Sequence, residues 1–446
     1  MPCHRNWKFR NTAFFRLGVA LIITSLYPKL ATNASDCADT KATTKVELRM
    51  RRLVAKLINR ERPVEHESSA FAVETSGDAP LENSLPTDGM SVSTCRVTRE
   101  DKERSRYHEQ GRFLARQEDW ADLGDLIYKL DVGRVLTQGG TPAAELICGG
   151  ARSDIVALAR DYVTQGEPHK TAEALAELEQ IAADHSEEYG VALVVATAHI
   201  DIGWLWRGEG WPHDILARFS PAELDAPYLA SVRCSLLTVQ ILPTQQVADA
   251  YEGLIDLDPE CPGYMRALGN HMLPRWFGDF EALELEARRT AARVSNKWGA
   301  GGYTWTYMDA LAVDPMALSH VDPDYFLDGI RDILERRSDQ HSINMMAAYT
   351  GITMATPAQL PADAIANRKQ IRSAFSWIVT DHLTELHPLI WANATKFCTG
   401  ETTQSLVDML EAGQVRALNT LNRHFGSSIQ DGDLIHFPGA RPSVTG

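Results

Sequence analysis

Between Arg99 and Phe425 apolar residues recur every three or four positions almost without a break, the period of helices that lay one face on a core. No stretch alternates apolar and polar residues long enough to predict a strand. The pattern predicts a first helical hairpin from 103–117 and 118–131, with Tyr107, Gly111 and Leu114 along one face and Trp120, Leu123, Ile127 and Leu130 along the other. Thr141-Pro142 predicts the next start, because the hydroxyl can cap and a first-turn proline has no amide to leave unbonded. Ala172, Leu175, Leu178 and Ile181 mark another helix, and a long apolar one runs from Glu187 to about Arg207, where Gly208-Glu209-Gly210 stops it.

Ser220-Pro221-Ala222-Glu223 has the form of a capping box, and Pro227 resets the helix it opens, which then extends toward Pro243. Shorter helices are predicted over 244–257 and 262–271. In the next, Phe280, Leu283, Ala287, Ala291 and Val294 share one face while Glu284, Glu286, Arg288, Arg289 and Arg293 cover the other, so it is expected to back onto solvent. Asp322-Pro323 repeats the cap-plus-proline start, and 344–350, 362–383 and 403–425 complete the set. The expectation is an all-α fold of stacked antiparallel hairpins, a degenerate α-solenoid with no exact repeat period.

The flanks read differently. Residues 1–62 carry 13 Lys and Arg against 4 Asp and Glu, net +9, which leaves −24 of the overall −15 on the rest of the chain. An acidic body repels phosphate backbones, so nucleic acid is not an expected partner. Lys8, Arg10 and Arg16 precede the apolar run 17–27 and the small residues Ala31 and Ala34, the order of a secretory signal, while basic residues from Lys41 to Arg62 oppose export. Two readings stand: export if residues 1–34 are a signal, and a cytoplasmic protein if translation starts at Met50. The run is too short to span a bilayer, and no integral span is expected in the body. Residues 63–98 and 426–446, poor in large apolar side chains, are expected to be a disordered linker and a disordered tail around a helical domain at 99–425.

Two features resemble tetratricopeptide-like hairpins: Gly111 followed by Trp120 and Leu123, and the Ala, Leu and Gly spacing from Ala172 to Ala198. The phrases Gly203-Trp204-Leu205-Trp206-Arg207-Gly208, Leu273-Pro274-Arg275-Trp276-Phe277-Gly278 and Asn344-Met345-Met346-Ala347-Ala348 resemble those of an uncharacterised family of bacterial helical-repeat proteins over about residues 100–395. That resemblance implies a helical-repeat fold and no catalytic residue, since the family has no agreed activity.

Candidate chemistry is sparse. The seven cysteines (Cys3, Cys37, Cys95, Cys148, Cys234, Cys261 and Cys398) form no C-x-x-C pair. His199 and Asp201, two apart on a helix, point to different faces and are expected to be structural. His382, Glu385 and His387 are expected to be a solvated helix end, because helical spacing supplies no third ligand. Gly299-Ala300-Gly301-Gly302 reads as a permissive turn, the third glycine of a dinucleotide loop being Thr304. No phosphate loop, H-E-x-x-H or G-x-S-x-G occurs, and neither cofactor nor metal is expected.

Six of ten tryptophans lie between Trp204 and Trp305, and inter-helix packing is their expected role. The sharper alternative is an aromatic groove built from Trp204, Trp206, Arg207, Arg275, Trp276 and Trp305 that takes a peptide or sugar. Two functions follow. The first is a non-enzymatic scaffold for a protein partner. The second is an α/α-toroid hydrolase or lyase on a sugar polymer, with two of Asp201, Glu209, Asp279 and Asp309 as acid and base.

Overall fold

The computed structural model describes residues 92–438 apart from 166, 168, 206–215, 217, 240–241, 356–357, 395–404 and 431–436. All of them fall in one unit, Val73–Gly446. The described chain is all-α. Helices α1 (Arg99–Arg116), α2 (Trp120–Val132), α3 (Ala143–Thr164), α4 (His169–Asp184) and α5 (Tyr189–Leu205) come first, followed by α6 (Pro221–Leu224) and α7 (Pro227–Ser235). Next are α8 (Thr244–Leu257), α9 (Pro262–His271), α10 (Phe280–Arg293), α11 (Ser295–Trp298) and α12 (Gly301–Val313). Helices α13 (Pro323–Arg336), α14 (Gln340–Gly351), α15 (Ala362–Arg372), α16 (Ala374–His382), α17 (Pro388–Asn393) and α18 (Leu406–Gln430) complete the order.

Local chemistry sets most boundaries. The Thr98 hydroxyl accepts from the Asp101 amide at 3.1 Å while the Asp101 carboxylate accepts from the Thr98 amide at 2.9 Å, a reciprocal cap on α1. Asp322 accepts from the Tyr325 amide, with Pro323 in the first turn of α13. Ser220 caps α6, but that helix lasts one turn because Asp225 adopts a left-handed conformation (φ 51°) and Pro227 follows. The helix predicted over 362–383 is two, broken at Ser373, whose hydroxyl donates to the Gln370 carbonyl at 2.6 Å.

Helices two apart in sequence are often closer neighbours than consecutive ones. Helix α1 lies mainly along α3 and α3 along α5, so the expected 103–131 hairpin is only a minor contact. Helix α5 is buried on every side from Val191 to Ala198, and it centres a first core that runs from Trp120 to Leu236. A second core runs from Ala230 to Phe437 around α12, which α9, α10 and α13 enclose. Helix α7 serves both: Leu229 and Val232 enter the first, Ala230 and Cys234 the second.

Between α9 and α12 the backbones approach so closely that a methyl on Gly269 would collide with the Thr306 carbonyl oxygen. Of the four residues read as a permissive turn, only Gly299 needs left-handed freedom (φ 57°); Gly301 and Gly302 already belong to buried α12. Nor is the polar face of α10 all solvent-backed. Glu284 accepts from the phenols of Tyr303 at 2.6 Å and Tyr307 at 2.8 Å, and Glu286 is buried. The phenols come from α12, which the pattern within α10 cannot register.

Among the described residues the strands are one pair of two residues each, beside an isolated antiparallel bridge between Leu136 and Pro142. Strand β1 (Ser93–Thr94) runs parallel to β2 (Glu385–Leu386), with Ser93 opposite Glu385 and Thr94 opposite Leu386. This pairing lies partly in the segment expected to be linker. At the other end α18 continues to Gln430, and Phe437 packs edge-on against Phe425, beyond the expected domain end. Among the described residues no helix is long and apolar enough to cross a membrane; the apolar run 17–27 lies outside them.

Candidate functional site

The residues singled out as an aromatic groove do not converge. Trp206, Arg207 and Glu209 lie outside the described residues, and Trp204 is placed only by its backbone at the end of α5. Trp305 is buried in the second core, with its ring edge-on to Trp298 at 5.7 Å. Arg275 and Trp276 are exposed on the turn between α9 and α10. Exposed Arg275–Trp276 and buried Trp305 therefore form no continuous face, because α12 carries Trp305 into the interior.

The Arg275–Trp276 turn is tightly held. Met272 and Leu273 are buried, the Trp276 amide donates to the Leu273 carbonyl at 2.9 Å, and the Phe277 amide donates to the His271 carbonyl at 3.2 Å. Thr244 donates its hydroxyl to the Phe277 carbonyl, and Asp279 ends the turn by accepting from the Ala282 amide at 2.8 Å as the cap of α10. His271 links turn to core: it is hydrogen-bonded to Tyr251 at 2.7 Å and edge-on to Trp276 and Phe277. Burial lowers its pKa to about 4. The neutral ring shares one proton with the Tyr251 hydroxyl at Nδ1. On this frame Trp276 keeps 40% of its surface exposed, and the Arg275 guanidinium lies 5.7 Å from its ring centre.

Trp305 also borders a cavity of about 220 Å³ that no sequence pattern announced. Arg104 from α1, Thr141 and Glu145 from the start of α3, Arg266 from α9 and Met345 from α14 surround it. The buried Trp305 Nε1 has no hydrogen-bond partner among the described residues. Glu145 reaches solvent at the mouth, yet protein crowds it closely enough that desolvation raises its pKa against the pull of Arg104 and Arg152. Five helices contribute, so only their packing defines the space. A wider depression of about 480 Å³ between the end of α14 and α18 has no carboxylate among its described lining residues.

The proposed acid–base residues are engaged elsewhere. Asp201 pairs with Arg152 at 2.6 Å, Asp309 takes both Nε and Nη2 of Arg266 at 3.0 and 2.7 Å, and Asp279 is a helix cap. His199 faces Glu179 at 3.1 Å, so His199 and Asp201 do turn to separate partners. Glu145 is the single carboxylate among the described residues lining the smaller cavity, and the acid and base of glycoside hydrolysis need two carboxylates about 5 to 10 Å apart. Comparison with protein families, with curated proteins and with solved structures found no match.

Proposed function

We propose that the protein is a non-enzymatic interaction scaffold, a degenerate array of helices that presents the Arg275–Trp276 turn to a protein partner. The observation that carries this reading is a tryptophan 40% exposed beside an arginine, on a turn locked by buried Met272 and Leu273. Tryptophan and arginine dominate binding energy at protein interfaces, and a rigid frame reduces the ordering cost of contact. The succession α1, α3, α5 of side-by-side helices supports a layered array, and the helical-repeat phrases around Trp204, Arg275 and Asn344 point the same way. The sugar-hydrolase alternative finds no pair of carboxylates among the described lining residues of either cavity.

The test is capture of stoichiometric partners by the full chain in its native cell, run in parallel with Trp276→Ala and Arg275→Glu. Both are surface changes expected to cost about 1 kcal/mol or less in stability. The expected result is a partner retained by the wild type and lost from both variants. Equal recovery with all three proteins, or no stoichiometric partner, would remove the reading.

A further inference from the structure

Strand geometry brings together three side chains that helical spacing keeps apart. Side chains two apart on a strand share a face, so Glu385 and His387 project together. The parallel register sets Ser93 beside Glu385 and continues to Cys95 beside His387, with the Cys95 amide donating to the Leu386 carbonyl at 2.8 Å. One donor atom from each of Cys95, Glu385 and His387 lies within 4.8 Å of the other two. His387 and Glu385 already meet at 2.9 Å through Nε2, while the buried His387 Nδ1 has no hydrogen-bond partner among the described residues. His382, weighed with them from the sequence, is outside the cluster: it ends α16 with its ring edge-on to Trp377.

The backbone under these residues is held from α14. Asn344 accepts at Oδ1 from the His387 amide at 2.9 Å and the Trp391 indole at 2.8 Å, and donates from Nδ2 to the Glu385 carbonyl at 2.8 Å. Gln340 accepts from the amides of Thr384 and Glu385 and donates to the His382 carbonyl. Five backbone groups between His382 and His387 are thus fixed by two buried or half-buried amides one helical turn apart. Such support is what a coordination site requires so that its ligands are placed before the ion arrives.

The geometry points to a divalent-cation site of the zinc class at Cys95, Glu385 and His387. Sulfur, nitrogen and carboxylate oxygen together suit Zn2+, and three protein ligands leave a fourth position for water. On binding, the Cys95 thiol releases its proton to solvent and the cation replaces the His387–Glu385 hydrogen bond. The ion joins the chain just ahead of α1 to the segment after α16, 291 residues apart where Ser93 donates to the Thr384 carbonyl.

Cobalt reports this site directly. Metal-stripped full-length protein titrated with Co2+ is expected to develop one equivalent of cobalt–thiolate charge-transfer absorption, abolished by Zn2+ displacement. Cys95→Ser, nearly isosteric and at a half-buried position, should lose that band, and Glu385→Gln should weaken binding about tenfold or more. His382→Ala should leave it unchanged. Zn2+ should also protect Cys95 from alkylation, read by mass spectrometry of the Cys95 peptide. A missing band, a band that persists in Cys95→Ser, or alkylation of Cys95 indifferent to Zn2+ would each overturn the site.

Discussion

At the scale of single residues, His271 is where burial, hydrogen bonding and the surface turn meet. Its folded pKa of about 4 lies below the ordinary 6.5. A depressed value stabilises the fold above pH 6.5, and that contribution is lost as pH falls through about 4, because the unfolded chain takes up a proton the folded one refuses. The wild type should therefore lose on the order of 3 kcal/mol across this window. Urea unfolding at stepped pH checks it: His271→Gln, which keeps a hydrogen-bonding group for Tyr251 and cannot titrate, should flatten the fall. An equal fall in the variant would assign the pH dependence to other groups. Position alone separates the roles of Trp276 and Trp305: the first is exposed on the turn between α9 and α10, and the second lies within buried α12.

At the scale of elements, helix spacing around α12 depends on missing side chains. Gly269→Ala should destabilise the protein by more than 3 kcal/mol or prevent folding, because the methyl has no volume beside the Thr306 carbonyl. Gly253→Ala, at an exposed position within α8 with nothing near the added carbon, should instead stabilise by about 0.5 to 1 kcal/mol. Thermal unfolding of the two variants side by side measures both, and a neutral Gly269→Ala would refute the close approach. Caps behaved as local rules at Ser220 and Asp322, where side chain and proline occupy adjacent positions. The strand pair did not, since two residues are too short to show a period and their partner lies nearly the whole domain away.

At the scale of the whole molecule, the two apolar cores share α7, so damage on one side should reach the other. Leu229→Ala opens a cavity in the first core and should cost about 2 to 5 kcal/mol. Native-state hydrogen exchange should then report lower protection in α5 and also in α12; unchanged α12 amides would mean that the cores unfold separately. The amino-acid order by itself determined the all-α class, most helix starts and the acidic body, because helical periodicity, capping and charge act over a few neighbouring residues. Tertiary structure alone decided that Glu284 turns inward to two phenols and that Trp305 is buried while Trp276 is exposed. It also set Cys95 beside Glu385 and His387, through a parallel register between distant segments. Such contacts arise from how packed helices bring remote backbone together, and no spacing along the chain records that.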